Sequence, residues 1–406
     1  MKPVKVALIR EGKNPPDKRV ALTPDQCVQL MQQFPQLTII AQTSGVRAIP
    51  DSAYVAAGIE VREDISDADI MIGVKEVNIE DLVANKTYLF FSHTFKKQPY
   101  NRKLLRAILN KKIRLIDYEV LKYPAGGRVI GFGRYAGIVG AYNSLLAYGL
   151  KTNRYSLKPA HQCADRKEVE EELKKVKLHP DFKLVMTGVG RVGMGAREII
   201  DQLGIQQVNH NDFLSVDYGH PVFTHIDVQH YNEHNDGNPF DRKHFFAFPG
   251  EYHSIFSRYM HVSHLFLACH YWSAGAPFLF TRQDVKDPQV ILRVVGDVSC
   301  DIDGPVASTL RPSTIAEPLY GYHPETESEV DFMDPRAIGV MAIDNLPCEL
   351  PKDASEDFGR EMVEKVMPHL LGNDEEKIIW RGTQTLLSGE LAPHFNYLHD
   401  YVTGKE

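Results

Sequence analysis

The sequence predicts an α/β protein with mainly parallel sheets, organised in more than one domain. Three observations predict it. From residue 4 onward, short apolar runs alternate with amphipathic stretches, the pattern of strands joined through helical crossovers. A second such series opens at Lys183, where an apolar run meets clustered glycines and then a helical pattern. The 406 residues suffice for two or three sizeable cores.

Taken in order, Val4–Ile9 reads as a strand and a polar loop carries Lys18 and Arg19. Thr23 is placed to cap a helix that has Pro24 at its first position and runs through Cys27, Leu30 and Met31. Leu37–Gln42 is a strand, and Asp51–Ala57 a short helix ended by Gly58. Strands follow at Ile70–Val74, Tyr88–Ser92 and Arg114–Tyr118, with a helix over Leu104–Leu109. Arg134–Leu150 is a long helical pattern whose small residues (Gly137, Gly140, Ala141, Ala147) permit close helix approach. It serves as an internal spine or, through an apolar face, as a dimer contact, so monomer and homodimer both stay open. Pro159–Lys177 reads as a surface loop plus a charged helix.

The second series starts with Lys183–Ile200. Gly188, Gly190 and Gly193 stand in G-x-G-x-x-G spacing between strand and helix. The first permits a tight turn, the second lets backbone approach a pyrophosphate, and the third packs helix on strand. The helix N-terminus then offers free N–H groups and a positive dipole end to phosphates. This predicts a dinucleotide cofactor. Ile205–Val208 is the expected second strand, and His210–Arg258, crowded with His, Asn, Asp and aromatics, is the least readable segment. Its histidines (His210, His220, His225, His230, His234) fit no compact ligand spacing, so no metal is expected. Val262–Ala268 is an apolar segment, Val290–Val295 a strand, and Ser355–Leu371 a final long helix.

Composition excludes several functions. Hydrophobic residues at 43% and charged residues at 24% are ordinary for a globular protein. A net charge of −7, with no basic run longer than Lys111-Lys112 and nearby Arg114, gives nucleic acid no support. No apolar run reaches membrane-spanning length, and the start MKPVKVALIREGK lacks a signal-peptide core. The five scattered cysteines (Cys27, Cys163, Cys269, Cys300, Cys348) form no C-x-x-C and fit reduced thiols in a cytoplasmic protein.

Chemistry concentrates at strand ends. In a parallel sheet the carboxyl ends of strands line the ligand crevice. Lys75 and Glu76 follow the strand Ile70–Val74, His93 follows Tyr88–Ser92, and Glu119 follows Arg114–Tyr118. A lysine beside a histidine in a partly dry cleft suits proton transfer at an amine or carbonyl centre. Arg19 and Arg128 are suited to bidentate carboxylate binding.

With these residues placed, the chain resembles the alanine dehydrogenase and transhydrogenase superfamily, and within it the lysine-forming saccharopine dehydrogenases and the lysine–ketoglutarate reductase half of the aminoadipic semialdehyde synthases. The resemblance rests on Lys18–Pro24, Ile72–Glu76, Phe90–Lys96, Arg114–Glu119, Gly127–Gly133, Thr281–Asp284, Gly296–Asp301 and Ala342–Pro347. It implies two Rossmann-like domains. A discontinuous substrate domain would comprise residues 1–132 and 323–406, and residues 133–322 would bind the dinucleotide. It implies that lysine and 2-oxoglutarate condense to an imine, which NAD(P)H reduces reversibly to saccharopine. The catalytic pair falls on Lys75 as proton acceptor and His93 as proton donor. Substrate binding falls on Arg19, Lys96, Gln98 and Phe132, with Glu76 and Glu119 tuning the pair. Cofactor binding falls on Arg128, Gly188, Gly190, Arg191, Val192, Gly193, Asp212, Asp297, Val298, Ser299 and Asp301. Asp212 leans to NAD while Asn209 tolerates a phosphate, so NAD and NADP both stay open. The resemblance covers only the first half of the bifunctional synthases. Two other readings remain: an amino-acid dehydrogenase using ammonia and another oxo acid, and a non-catalytic dinucleotide sensor.

Overall fold

The computed structural model describes residues 3–405. The chain separates into two compact units, one formed by the chain up to Phe132 and again from Pro351, the other by Gly133–Leu350.

The first unit begins β1 (Val4–Leu8), α1 (Pro24–Gln33), β2 (Leu37–Gln42), α2 (Asp51–Ala56) and β3 (Glu60–Arg62). It continues through β4 (Ile70–Ile72), β5 (Thr87–Phe90), α3 (Arg102–Asn110) and β6 (Arg114–Asp117). All six strands are parallel, in the order β3-β2-β1-β4-β5-β6. The order reverses at β1, which places ligand-binding crevices beyond the carboxyl ends of β1 and β4. Helix α1 starts as its sequence dictates. Thr23 Oγ1 accepts from the Gln26 N–H, Gln26 Oε1 accepts from the Thr23 N–H at 2.8 Å, and Pro24 takes the first turn.

The second unit opens with α4 (Gly133–Thr152) and α5 (Arg166–Leu173), followed by β7 (Lys183–Thr187), α6 (Arg191–Gln202), β8 (Gln206–Gln207), α7 (His210–Ser215) and β9 (Val222–Ile226). A small hairpin, β10 (Asn232–His234) and β11 (Tyr252–Ser254), encloses α8 (Arg242–Ala247). Then come α9 (Ser257–Met260), β12 (Leu265–Ala268), β13 (Val294–Asp297), β14 (Leu319–His323), β15 (Ser328–Val330) and β16 (Ile338–Met341). The sheet order is β15-β14-β16-β13-β12-β7-β9-β8. It is parallel except at one edge, where β14 pairs antiparallel with both β16 and β15. The short link from β14 to β15 cannot return a strand in parallel. Helix α4 lies against α6 because glycines thin both surfaces. A Cβ on Gly137 would stand 1.9 Å from the Val192 carbonyl oxygen, and one on Gly195 2.0 Å from that of Arg134.

The chain returns to the first unit at Pro351, not after residue 322. Residues 338–341 form β16, which pairs in parallel with β13, so the stretch expected in the substrate domain completes the second sheet. The final long helix is also interrupted. α10 (Pro351–Glu361) passes through a wide π turn at Met362–Val366 into α11 (Met367–Leu371). Pro368, without an N–H, cannot continue the regular ladder there. Short helices α12 (Ile378–Gly382) and α13 (His399–Thr403) close the chain. Among the described residues no helix is long and apolar enough to cross a membrane.

Candidate active site

In the first unit, strands β4, β5 and β6 lie side by side and each delivers a charged residue just past its carboxyl end. His93 follows β5 in a left-handed turn, φ 54° and ψ 6°, that opens the 3₁₀ turn Thr94–Lys96. Its Nδ1 pairs with Glu76 Oε1 at 2.6 Å and its Nε2 stands 3.8 Å from Glu119 Oε2. Lys96 Nζ and Arg128 Nη2 reach Glu119 Oε1 at 3.0 and 2.9 Å. The predicted residues Glu76, His93, Lys96, Glu119 and Arg128 thus form one connected network, with Arg128 tied to it through Glu119. Burial works against the Glu76 carboxylate, yet the hydrogen bond from His93 holds it below the ordinary value.

Lys75 sits half-buried beside this network. Burial, then the nearby cations Arg19 and Lys13, push its pKa below the ordinary lysine value, while Asp17 and Glu76 pull the other way. Its backbone is clamped by Glu11, a residue the sequence reading missed. Glu11 Oε1 and Oε2 accept from the N–H groups of Val74 and Lys75 at 2.7 and 2.8 Å. Glu11 stands beyond the end of β1 as Glu76 does beyond β4, so the strand-end rule could have found it.

Arg19 is only 3% exposed. Its Nε and Nη2 make a bidentate pair with Asp17 at 3.0 and 2.6 Å, and its guanidinium lies 4.2 Å above the Phe132 ring. Phe132 stacks on Phe358 at 4.4 Å. Burial alone would raise the Asp17 carboxyl, but Arg19 outweighs it and holds the pKa at about 2. The Gln98 side chain is occupied elsewhere, accepting from the Tyr100 hydroxyl.

These shifts make stability pH-dependent. Burial raises the Glu11 pKa from 4.5 to about 7, and that of Glu349, buried in the second unit, likewise to about 7. A carboxyl that binds its proton more tightly when folded stabilises the fold fully below about 4.5, and this contribution is lost as pH rises through about 7. Asp17 acts oppositely, stabilising above its ordinary 3.8 and ceasing to as pH falls through about 2. The melting temperature is therefore expected to drop by roughly several degrees between pH 5 and pH 8 through Glu11 and Glu349. Glu11→Gln and Glu349→Gln together should flatten that drop in calorimetric scans. Parallel pH profiles for the double variant and the parent would refute the assignment.

In the second unit the three glycines have three separate reasons. Gly188 has φ 88°, and a Cβ there would lie 2.3 Å from the Cys269 carbonyl oxygen. A Cβ on Gly193 would lie 1.7 Å from the Gly188 carbonyl oxygen, so α6 packs directly on the turn. Gly190, the residue before α6, has open space around its missing side chain. Arg191 and Val192 form the first turn of α6. This cradle fits a pyrophosphate: bare backbone, an open approach and a helix of twelve residues aimed at it.

Two acids, Asp212 and Asp227, follow strands of this sheet. The strand beside β7 is β9, not β8, which holds two residues at the sheet edge. Asp212 follows β8 at the start of α7, and Asn209 caps that helix and hydrogen-bonds its carboxylate. The acid that follows the strand beside β7 is Asp227. The Gly188 N–H donates to the Ile226 carbonyl at 3.1 Å, so Asp227 adjoins the glycine turn. Its carboxylate is paired with Arg242. His225, one strand position earlier in the same face alternation, donates from Nε2 to the Gly188 carbonyl at 2.7 Å and supports the turn.

Asp297, at the end of β13, turns inward. It accepts from Ser299 N–H and Oγ, from the Cys300 N–H and from Thr309 Oγ1, at 2.6–3.1 Å. It therefore shapes the loop that carries Val298, Ser299 and Asp301. The Val298 and Ser299 N–H groups donate to the Ala268 carbonyl. Burial, then the charge of Asp297, raises the Asp301 pKa.

The histidine-rich segment brings His234 and His244 to Glu251, each Nε2 3.6 Å from Glu251 Oε2. Sequence spacing did not anticipate this. His234 Nδ1 accepts from the Asp236 N–H, which leaves its Nε2 facing Glu251.

The fold is that of alanine dehydrogenase and transhydrogenase. A solved L-alanine dehydrogenase superposes with a TM-score of 0.64 at 16% identity, covering 98% of this chain and all of the other. A transhydrogenase from Sinorhizobium meliloti gives 0.61 at 14% identity, covering 95% and 99%. Residues 7–139 match the alanine dehydrogenase/PNT N-terminal domain. In sequence the chain is a homologue of proteins named alpha-aminoadipic semialdehyde synthase and saccharopine dehydrogenase. It is 30% identical to the synthase of Arabidopsis thaliana over 87% of this chain and 37% of the relative. The mitochondrial synthase of Mus musculus is 29% identical over 97% and 45%. The saccharopine dehydrogenase [NAD(+), L-lysine-forming] of Schizosaccharomyces pombe is 28% identical over 88% and 91%. The chain thus spans less than half the length of the synthases it matches.

Proposed function

We propose that this chain is a nicotinamide-dependent oxidoreductase that joins L-lysine to 2-oxoglutarate and reduces the resulting imine to saccharopine, reversibly. The observation that carries this reading is a half-buried, pKa-lowered Lys75 and a His93 locked to Glu76, just past the ends of adjacent strands. The homologues' names supply the substrate class.

Lysine condensation needs a neutral amine and a protonated carbonyl oxygen. Lys75, deprotonated more readily than an ordinary lysine, takes a proton from the substrate ε-ammonium. The freed nitrogen attacks the keto carbon and a C–N bond forms. His93, whose Nδ1 is fixed on Glu76, delivers one proton from Nε2 to the oxygen, and the attacking nitrogen gives up a second, so that the oxygen leaves as water and an iminium remains. Reduced nicotinamide, when bound, would supply the hydride that converts C=N to CH–NH. Lys75 returns its proton to the nitrogen. Arg19, held by Asp17 and Phe132, stations a cation for a substrate carboxylate.

Gly188, Gly190, Arg191, Val192 and Gly193 would cradle the pyrophosphate, and Asp227 would accept from the adenosine ribose hydroxyls. A carboxylate there repels a 2′-phosphate, which favours NAD. Arg242 beside it is the residue to exchange contacts with a phosphate if NADP enters.

The test is loss of absorbance at the reduced-nicotinamide band with NADH or NADPH, 2-oxoglutarate and lysine. Oxidation that requires both substrates supports the reading and identifies the cofactor. Oxidation with ammonia and pyruvate instead would move the protein to the alanine dehydrogenase reaction. Tight cofactor binding with no turnover would leave a sensor.

A further inference from the structure

Asp117, the last residue of β6, is fully buried and belongs to no step described above. Its carboxylate gathers five donors. Oδ2 accepts from the Ser92 N–H at 3.0 Å, Ser92 Oγ at 2.6 Å, the His93 N–H at 3.2 Å and Gln384 Nε2 at 3.1 Å. Oδ1 accepts from the Glu119 N–H at 2.8 Å. One side chain therefore holds the backbone of both His93 and Glu119, whose side chains face each other. Around it, Ser92 Oγ and Thr94 Oγ1 lie 2.8 Å apart, and Thr94 Oγ1 donates to Gln384 Oε1 at 2.6 Å.

The need for such an anchor is local. His93 occupies the left-handed region, which side chains with a Cβ adopt uncommonly and at a cost. Released from it, the segment 92–94 would relax toward extended backbone and swing the imidazole away from Glu76. Within the segment, the Ser92 side chain bridges the turn, its Oγ accepting from the Thr94 N–H at 3.3 Å. The carboxylate from β6 holds it as well, through adjacent N–H groups.

We infer that Asp117 is a positioning residue for the acid–base pair, fixing His93 and Glu119 through their backbones from beneath the site. The inference rests on the function proposed above for His93, but its test does not depend on turnover alone. A carboxamide is nearly isosteric and offers one acceptor where the carboxylate offers two, so Asp117→Asn must turn an N–H donor toward other donors. Turnover with lysine and 2-oxoglutarate is expected to fall about 10- to 100-fold, with the lysine KM within roughly threefold of the parent.

The independent readout is the NMR resonance of the His93 imidazole proton shared with Glu76 in the cofactor-free protein, assigned by its loss in His93→Gln. It should shift or broaden away in Asp117→Asn, and move less in Ser92→Ala, which removes one donor and leaves the carboxylate. If Asp117→Asn does not fold, Ser92→Ala decides, with a few-fold loss of turnover and a displaced resonance expected. An unchanged resonance in the folded variants would overturn the inference, whatever their activity. If the parent protein itself shows no lysine-dependent turnover, the function falls, and the resonance still decides the role of Asp117.

Discussion

Replacing Lys75 with Met or His93 with Gln is expected to cut turnover by about 10²-fold or more while dinucleotide binding stays within roughly twofold. The two effects separate because the groups lie in different units. Lys75 and His93 follow β4 and β5 of the first sheet, and the glycine cradle joins β7 to α6 in the second. Methionine keeps the length and most of the volume of the Lys75 side chain, so the clamp of Glu11 on the backbone N–H groups survives. Glutamine at 93 retains a hydrogen bond toward Glu76 but has no proton to exchange near neutrality. The reaction would be followed at the reduced-nicotinamide band and cofactor binding by calorimetry. Full turnover in both variants would remove the mechanism. Lost binding in either would point to general misfolding.

Gly190→Ala and Gly193→Ala are expected to fail in different ways. At Gly190 the backbone has φ −84° and ψ −167°, which alanine adopts freely, and no atom lies near the added methyl. The variant should melt at the parent temperature. Yet the methyl enters the space through which a pyrophosphate meets the backbone, so NADH affinity should drop about 10- to 100-fold, or 1.4 to 2.8 kcal/mol. At Gly193 the methyl would meet the Gly188 carbonyl oxygen at 1.7 Å, and no flexible side chain is there to yield. Either α6 moves off the turn or the unit loses stability, so melting temperature and affinity should both fall. Unchanged NADH affinity in Gly190→Ala would locate the cofactor elsewhere.

Much of this was legible because a parallel sheet announces its crevice. Each buried strand is a short apolar run, and the polar residue that ends the run stands at the crevice. Lys75, Glu76, His93 and Glu119 are readable on that rule. Glu11 obeys it too, at β1, but attention to the lysine–histidine pair passed over it. Asp227 was hidden for another reason. β9 reads Val-Phe-Thr-His-Ile inside a stretch dense with polar residues, and the preceding β8 shows a strand that turns out to be two residues at the edge. The resemblance falls on Asp212 after β8, while the Gly188–Ile226 hydrogen bond sets Asp227 beside the glycine turn. The end of the second unit was misplaced because β16 resembles any apolar strand, and only its register against β13 assigns it. Asp117 and Gln384 lie 267 residues apart, and no local pattern links them.

The division of the chain at 132 and 350 also sets an order of events during synthesis. Gly133–Leu350 is continuous, so the second unit can fold as soon as it leaves the ribosome. The first unit cannot, because Phe358 and Met362 complete its core and Gln384 completes the buried cluster under His93. Its six strands, all made early, must wait with an apolar face uncovered until the last part of the chain arrives. The window of vulnerability to chaperones, proteases and self-association is thus set by the time needed to translate an entire inserted unit, and slowing translation within that insert should lower the yield of native protein more than slowing it after residue 384.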